Sequence, residues 1–282
     1  MEILPRPLWF FQRTCGTVVS FPEEFRENRH QKREPFAHRL DMLSFLRSRT
    51  FFLLIIFLSL TLSFYPFERI TFSGSALPLP EPANRQAMAL PPPQLQGTKT
   101  LEEILARRRT VRAFSAKPIT TSQVAQLLWA AQGVTSPNGF RTAPSGGGLF
   151  PLEIRVLAGN VEGLSSGTYR YLPATHQLLP EHAGDLRSKL IEATYQQDWV
   201  TQGAAVFLIS GVASRSSTKY EGRGVRFTHL EAGHAAQNLL LQAIALELEA
   251  GTIGGLDDQK VRTILTLPAG EEPLYLLVVG YP

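Results

Sequence analysis

Lys219 and Tyr220 stand side by side, an amine and a phenol that together can move one proton. Far upstream lies a dense run of guanidiniums, Arg107-Arg-Arg-Thr-Val-Arg112, with one hydroxyl among them. Many N–H donors and several positive charges at short range suit a phosphate or a carboxylate. Between these two stretches, Ala143-Pro-Ser-Gly-Gly-Gly-Leu-Phe-Pro151 sets three glycines behind a serine. Lacking β-carbons, that backbone can approach a planar or anionic ligand closely. Its spacing is neither the G-x-G-x-x-G of a dinucleotide fold nor that of a P-loop. Ile253-Gly-Gly255, followed by Asp257-Asp258, is a second backbone-exposing turn. Each of these taken alone also has a plain reading: a solvated charge run, an ordinary loop, a surface Lys-Tyr pair.

A fourth pattern is a polar stripe. Glu231, His234, Asn238 and Gln242 recur at three- and four-residue spacing on an otherwise apolar stretch. Buried polar groups of this kind require hydrogen-bond partners. Glu231-Ala-Gly-His234 also has the Glu-x-x-His spacing of carboxylate-bridged di-iron bundles. That architecture needs a second such pair and two further carboxylates, which the sequence does not offer, so no metal site is expected. Cys15 is the sole cysteine, leaving no disulfide framework and no thiolate nucleophile in the globular part.

The elements that must position these groups can be read from periodicity and caps. Thr100-Leu-Glu-Glu103 reads as a capping box opening a helix with Leu101, Ile104 and Leu105 on one face. Thr120-x-x-Gln123 opens another, with Val124, Leu127, Leu128 and Ala131 in a stripe and Gly133 at its end. Leu152–Ala158 reads as a strand, 168–171 and 177–179 as a hairpin pair around Pro173, and 185–197 as a helix. Ala204–Ser210 and Leu274–Val279 are continuous apolar runs, suited to strands covered on both faces. A long helix is predicted between them, over 227–248. Helices flanking a central sheet make an α+β domain over residues 98–282.

The N-terminal third reads differently. Residues 50–67 contain no charge, and Phe51-Phe-Leu-Leu-Ile-Ile-Phe-Leu58 is continuous hydrocarbon. As a helix this stretch would span about 27 Å, close to the thickness of a bilayer core. Arg47 and Arg49 precede it, which favours an N-terminus inside and a domain outside, anchored or exported. Met42 begins a stretch shaped like a signal sequence, which suggests a start there and an untranslated 1–41 within the basic extension 1–49. Gly74-Ser75-Ala76 is a candidate cleavage site. Residues 68–97, with prolines at 78, 80, 82 and 91–93, read as an extended spacer. Nine of the Lys/Arg residues and six acids fall in 1–49, so most of the net charge of +4 sits there. The folded part is near neutral, and a nucleic-acid surface is not expected.

Taken in order, the segments resemble the nitroreductase superfamily, in its azoline-oxidase-like (SagB-type dehydrogenase) branch. The residues that carry the likeness are Arg108-Arg-Thr-Val-Arg-Ala-Phe114, Leu127-Leu-Trp-Ala-Ala-Gln-Gly133, Ala143-Pro-Ser-Gly-Gly-Gly148 and Gly167-Thr-Tyr-Arg-Tyr171. They continue with Lys219-Tyr220, Leu230-Glu-Ala-Gly-His-Ala-Ala-Gln-Asn238 and Glu272-Pro-Leu-Tyr275. The resemblance implies a mainly antiparallel sheet flanked by helices, and a homodimer holding FMN at its interface. It assigns Arg108, Arg109, Thr110 and Arg112 to the FMN phosphate and ribityl chain. Pro144, Ser145 and Gly147 would line the flavin from the partner subunit, with the backbone of Gly254 and Gly255 near N5. Lys219 and Tyr220 would be the acid–base pair, with a small-molecule substrate and NAD(P)H as a transient donor. Leu246-Glu-Leu-Glu249 stands where the family ends its helix with glycine, so a different helix exit is expected. The rival reading is a non-catalytic, membrane-tethered flavin-binding or interaction module.

Overall fold

The computed structural model describes residues 86–282. The chain divides into two units, Met1–Ser73 and Gly74–Pro282, and all described residues belong to the second. The basic extension, the hydrophobic stretch 50–67, the Met42 start, the cleavage site and the first part of the spacer lie outside the described residues. Among those described, no helix is long and apolar enough to cross a membrane.

Seven strands form one sheet in the order β1 (Met88–Ala89), β6 (Gln177–Ala183), β5 (Gly167–Leu172), β3 (Leu152–Ala158), β7 (Ala205–Gly211), β9 (Glu272–Gly280) and β8 (Glu249–Ile253). Every neighbouring pair in it is antiparallel. A separate small parallel ladder joins β2 (Ile119–Thr120) to β4 (Val161–Glu162). The spacer is already part of the body at Met88, which pairs with Leu178. Beyond it Leu90 is buried, and Gln94 exchanges hydrogen bonds with Gln126.

The apolar runs of β7 and β9 are buried on both faces, as their composition requires. Ala205, Phe207 and Ile209 of β7 face one layer with Leu277 and Val279 of β9. Val206 and Leu208 face the other with Leu276 and Val278. The first layer is built by α2 (Thr121–Gln132) and α5 (Gly224–Ala245). The second is built by α3 (Leu190–Ala193), α6 (Asp258–Leu265) and the Trp199–Val200 turn.

The helix ends follow local chemistry. α2 has the complete capping box: the Thr120 hydroxyl accepts from the Gln123 N–H, and the Gln123 side chain accepts from the Thr120 N–H. α1 (Leu101–Arg107) has only half of its expected box, because Glu103 pairs with Arg107 one turn on rather than reaching back to Thr100. Among the described residues its apolar face is only partly covered, and Leu101 and Leu105 stay exposed. The helix expected over 185–197 shrinks to α3. Thr194 turns its hydroxyl back onto the Leu190 and Ile191 carbonyls, and Tyr195 and Gln196 then take left-handed φ of 53° and 65°. α5 starts ahead of its expected residue 227 and leaves through Glu247 at φ 59°, a left-handed exit made without glycine.

Candidate active site

α4 (Ala213–Tyr220) ends on the Lys219-Tyr220 pair. The next residue, Glu221, has φ 48°, which breaks the helix at once. The chain then turns into α5 through Gly224, where a β-carbon would stand 2.5 Å from the Ser217 backbone nitrogen. Only glycine allows α4 and α5 to meet so closely. This corner lays the Tyr220 ring edge-on against Phe227 in the first turn of α5, with centroids 4.7 Å apart.

The glycine turn lies under the same corner. Gly147 has φ 67°, and a β-carbon built on it would stand 2.8 Å from the Tyr220 hydroxyl and 3.1 Å from the Lys219 Nζ. Gly146 faces the rings of Tyr220 and Phe227. Two neighbouring groups that can carry a proton therefore converge on one point of a bare backbone that lies far upstream in sequence. Lys219 is exposed and Tyr220 half-buried, so the pair opens to solvent.

A cleft beside it is lined by Pro144, Ser145, Gly146, Phe227, Leu230, Glu231 and His234. Glu231 is buried, 2% exposed, and accepts from the Gln132 side chain at 3.3 Å. Burial pushes its carboxyl above the usual range, against the lowering pull of Ser145, Gln132 and Arg141. The remaining polar stripe also finds its partners: Asn238 donates to the Thr142 carbonyl, and Gln126 donates to Gln242. His234 is exposed. Among the described residues no three His, Cys, Asp or Glu side chains gather as a metal site.

The arginine run forms a second group. Its backbone lies beside the edge strand β8, with Thr110 bridged in parallel to Ala250 and the Val111 N–H donating to the Ala250 carbonyl at 3.0 Å. Continuing in that direction, β8 ends at the exposed Gly254 and Gly255. Arg107 pairs with Glu103 and Glu247. By contrast, no ion pair among the described residues involves Arg108, Arg109 or Arg112. Among the described residues Arg109 donates to the Ala106 and Arg108 carbonyls, and Arg112 lies over the Trp199 ring at 5.9 Å. The sequence held no signal for Phe227 as the wall behind Tyr220, or for Trp199 under Arg112, since both contacts arise only from how the chain folds.

Comparison with known proteins agrees with this architecture. The model of the nitroreductase family matches residues 105–281. A nitroreductase-type protein of Methanocaldococcus jannaschii is 36% identical over 180 residues, which cover 64% of this chain and 90% of that one. A solved nitroreductase-type structure from Ralstonia eutropha superposes with a TM-score of 0.63 at 29% identity, covering 73% of this chain and 94% of that one. A chain of the Escherichia coli microcin synthetase McbBCD complex with truncated pro-MccB17 bound shares the fold, with a TM-score of 0.54 at 19% identity over 87% of this chain and 98% of that one. Family members are flavin-dependent oxidoreductases that bind FMN and are usually dimers using NAD(P)H and a substrate. The chain belongs to the nitroreductase family.

Proposed function

We propose that this domain is an FMN-dependent oxidoreductase of the SagB-type dehydrogenase kind, exchanging hydride between flavin N5 and a small organic substrate. The observation that carries the reading is the convergence of Lys219 and Tyr220 on Gly147. FMN would supply the two-electron hydride chemistry, which no side chain here provides. The residues suit that group. Arg108, Arg109 and Arg112 lack carboxylate partners among the described residues, so their charge can serve a phosphate, with the Thr110 hydroxyl beside them. Gly254 and Gly255 are exposed backbone at the end of β8, suited to approach a flat ring. Pro144, Ser145 and Gly147 offer a second wall with little side-chain bulk.

Lys219 and Tyr220 take the proton that a substrate loses when it is oxidised, or return one when it is reduced. The Phe227 edge contact holds the Tyr220 ring in one orientation for that transfer. The two residue groups also argue for a dimeric site. Arg107 is paired with Glu247 at the C-terminal end of α5, whereas the glycine turn rests on Phe227 near its N-terminal end. Those two points lie about 30 Å apart along the helix, farther than one mononucleotide reaches. A second copy that brings its turn to the first copy's arginines completes the site, and the exposed Leu101 and Leu105 give such a copy an apolar face to cover. The stretch 50–67 is proposed to anchor the domain to a membrane or export it.

The test is the visible spectrum of the purified protein, with chromatography of any acid-released chromophore, followed by Lys219→Ala and Tyr220→Phe. Released FMN, with turnover lowered about 10²-fold or more in either variant, supports the reading. Protein that stays colourless after incubation with FMN would turn the assignment to a non-catalytic interaction module. Unchanged turnover in both variants would remove the acid–base role.

A further inference from the structure

The turn that carries Gly147 is not held by glycine freedom alone. Gly147 and Gly148 have φ of 67° and 68°, but Phe150 also sits at 45°, where a side chain costs about 1 kcal/mol or more. A conformation of that kind persists only where its surroundings over-determine it. Here the surroundings close into a ring. The Phe150 N–H donates to the Ser145 hydroxyl at 2.9 Å, which pins the two ends of the turn together. The Ser145 hydroxyl lines the same cleft as the Glu231 carboxyl on α5 and pulls its pKa down against burial. Glu231 also accepts from Gln132, whose amide oxygen in turn accepts from Arg141 at 2.8 Å. The Arg141 guanidinium completes the circuit, lying over the Phe150 ring at 4.1 Å.

We propose that Glu231 is a positioning residue of this site, fixing through Ser145 the turn that presents Gly147 to Lys219 and Tyr220. A carboxylate buried to 2% exposure is costly, and an apolar residue in its place would avoid that cost. The carboxylate gives the Ser145 hydroxyl an acceptor. With its proton committed to Glu231, the Ser145 oxygen keeps a lone pair aimed at the Phe150 N–H, and the left-handed geometry is locked from both sides. Nothing in this role requires Glu231 to touch a substrate. It acts through a hydroxyl and a backbone amide, and the Gln132–Arg141 arm keeps its carboxylate turned toward the turn.

The catalytic consequence rests on the oxidoreductase reading, but the positioning itself is measurable without flavin. The experiment compares hydrogen–deuterium exchange in the 144–151 segment of the full chain, with no flavin added, for wild type, Glu231→Ala, Glu231→Gln and Ser145→Ala. Loss of one net hydrogen bond should speed exchange about tenfold in both alanine variants. Glu231→Gln, whose amide oxygen still accepts from Ser145, should stay close to wild type. In flavin-loaded protein, kcat should fall about tenfold in the alanine variants with little change in KM, and Gln should restore it. Wild-type exchange in Glu231→Ala would overturn the proposal, as would a Gln variant as loose as the Ala variant. If Glu231→Ala fails to fold, Ser145→Ala tests the same contact from the half-buried turn. A colourless protein whose turn still loosens in the alanine variants would sink the flavin assignment and leave this inference standing.

Discussion

Tyr220 closes so tightly over Gly147 that a single carbon added at the glycine would stand 2.8 Å from the phenol oxygen. The contact joins the end of α4 to the loop that leads into β3, and it depends on two left-handed turns. One is the glycine turn itself, at φ 67° in Gly147; the other is Glu221 at 48°, which stops α4 immediately after the tyrosine. Strain has therefore collected on both sides of one contact, where a site must be held rather than merely formed.

Gly147→Ala should disturb that contact more than it disturbs the fold. The left-handed φ costs an alanine about 1 kcal/mol, while the colliding atoms are the movable ends of Lys219 and Tyr220. The expected result is an unfolding free energy lower by about 1–2 kcal/mol and turnover lower by about tenfold or more. Denaturant unfolding and steady-state kinetics on the same preparation check this. A stable variant with full turnover would show that the Lys-Tyr approach is not used.

Arg108→Ala and Arg112→Ala should act on the cofactor and leave the fold alone. Neither guanidinium has an ion-pair partner among the described residues, and Arg112 is exposed over the Trp199 ring. A charge-assisted contact to phosphate contributes about 1.5–3 kcal/mol, so FMN affinity should drop about 10- to 100-fold for each. Thermal unfolding of flavin-free protein should hardly move. Quenching of FMN fluorescence on titration measures the affinity, and rising salt should narrow the difference between variant and wild type.

How legible this was from sequence depended on how far each residue's partners lay along the chain. The runs of β7 and β9 announced strands covered on both faces, and alternate residues do enter the two layers. The Thr120-x-x-Gln123 cap carried its own evidence within four residues. Within 185–197, by contrast, helical periodicity could not reveal that Tyr195 and Gln196 turn left-handed, because neither is a residue that favours it. In the site, the chemistry of Lys219, Tyr220 and the glycine run was readable from residue type. Their meeting was not, since it depends on the α4–α5 corner at Gly224. The polar stripe on α5 implied partners without naming them, and Gln132 lies 99 positions from Glu231.

Glu231 should make stability depend on pH in an unusual direction for a carboxylate. Burial raises its folded-state value despite Ser145, Gln132 and Arg141 pulling it down. Folded protein therefore keeps this proton to higher pH than the unfolded chain does. Between the two values the folded state binds more protons, and its stability falls as pH rises. Glu231→Gln cannot lose that proton. Its unfolding temperature should match wild type in acid, below the ordinary carboxylate range, and exceed it at neutral pH. Melting curves of both proteins across that range decide the matter; a Gln variant that becomes relatively weaker toward neutrality would contradict the argument.

Arg155 offers the sharpest separation of stability from function. It points to the layer opposite Glu231, 2% exposed, and pairs with Glu181 at 2.6 Å and with the buried Glu271. Ser210 also donates to Glu271. Burial lowers the guanidinium's hold on its proton, but the two carboxylates more than offset that, and its pKa ends above the ordinary value. Arg155→Met would leave Glu271 buried with its countercharge gone, which typically costs about 3–5 kcal/mol. The denaturation midpoint should fall accordingly, while FMN affinity per folded molecule stays as in wild type. Replacing Arg155, Glu181 and Glu271 together by apolar residues removes the charges as a set. That triple variant should recover most of the loss, because an apolar cluster of similar volume has no desolvation penalty to overcome. If the single Arg155→Met already matches wild type, the three groups are wetter than the fold implies, and the cluster contributes little to holding the sheet.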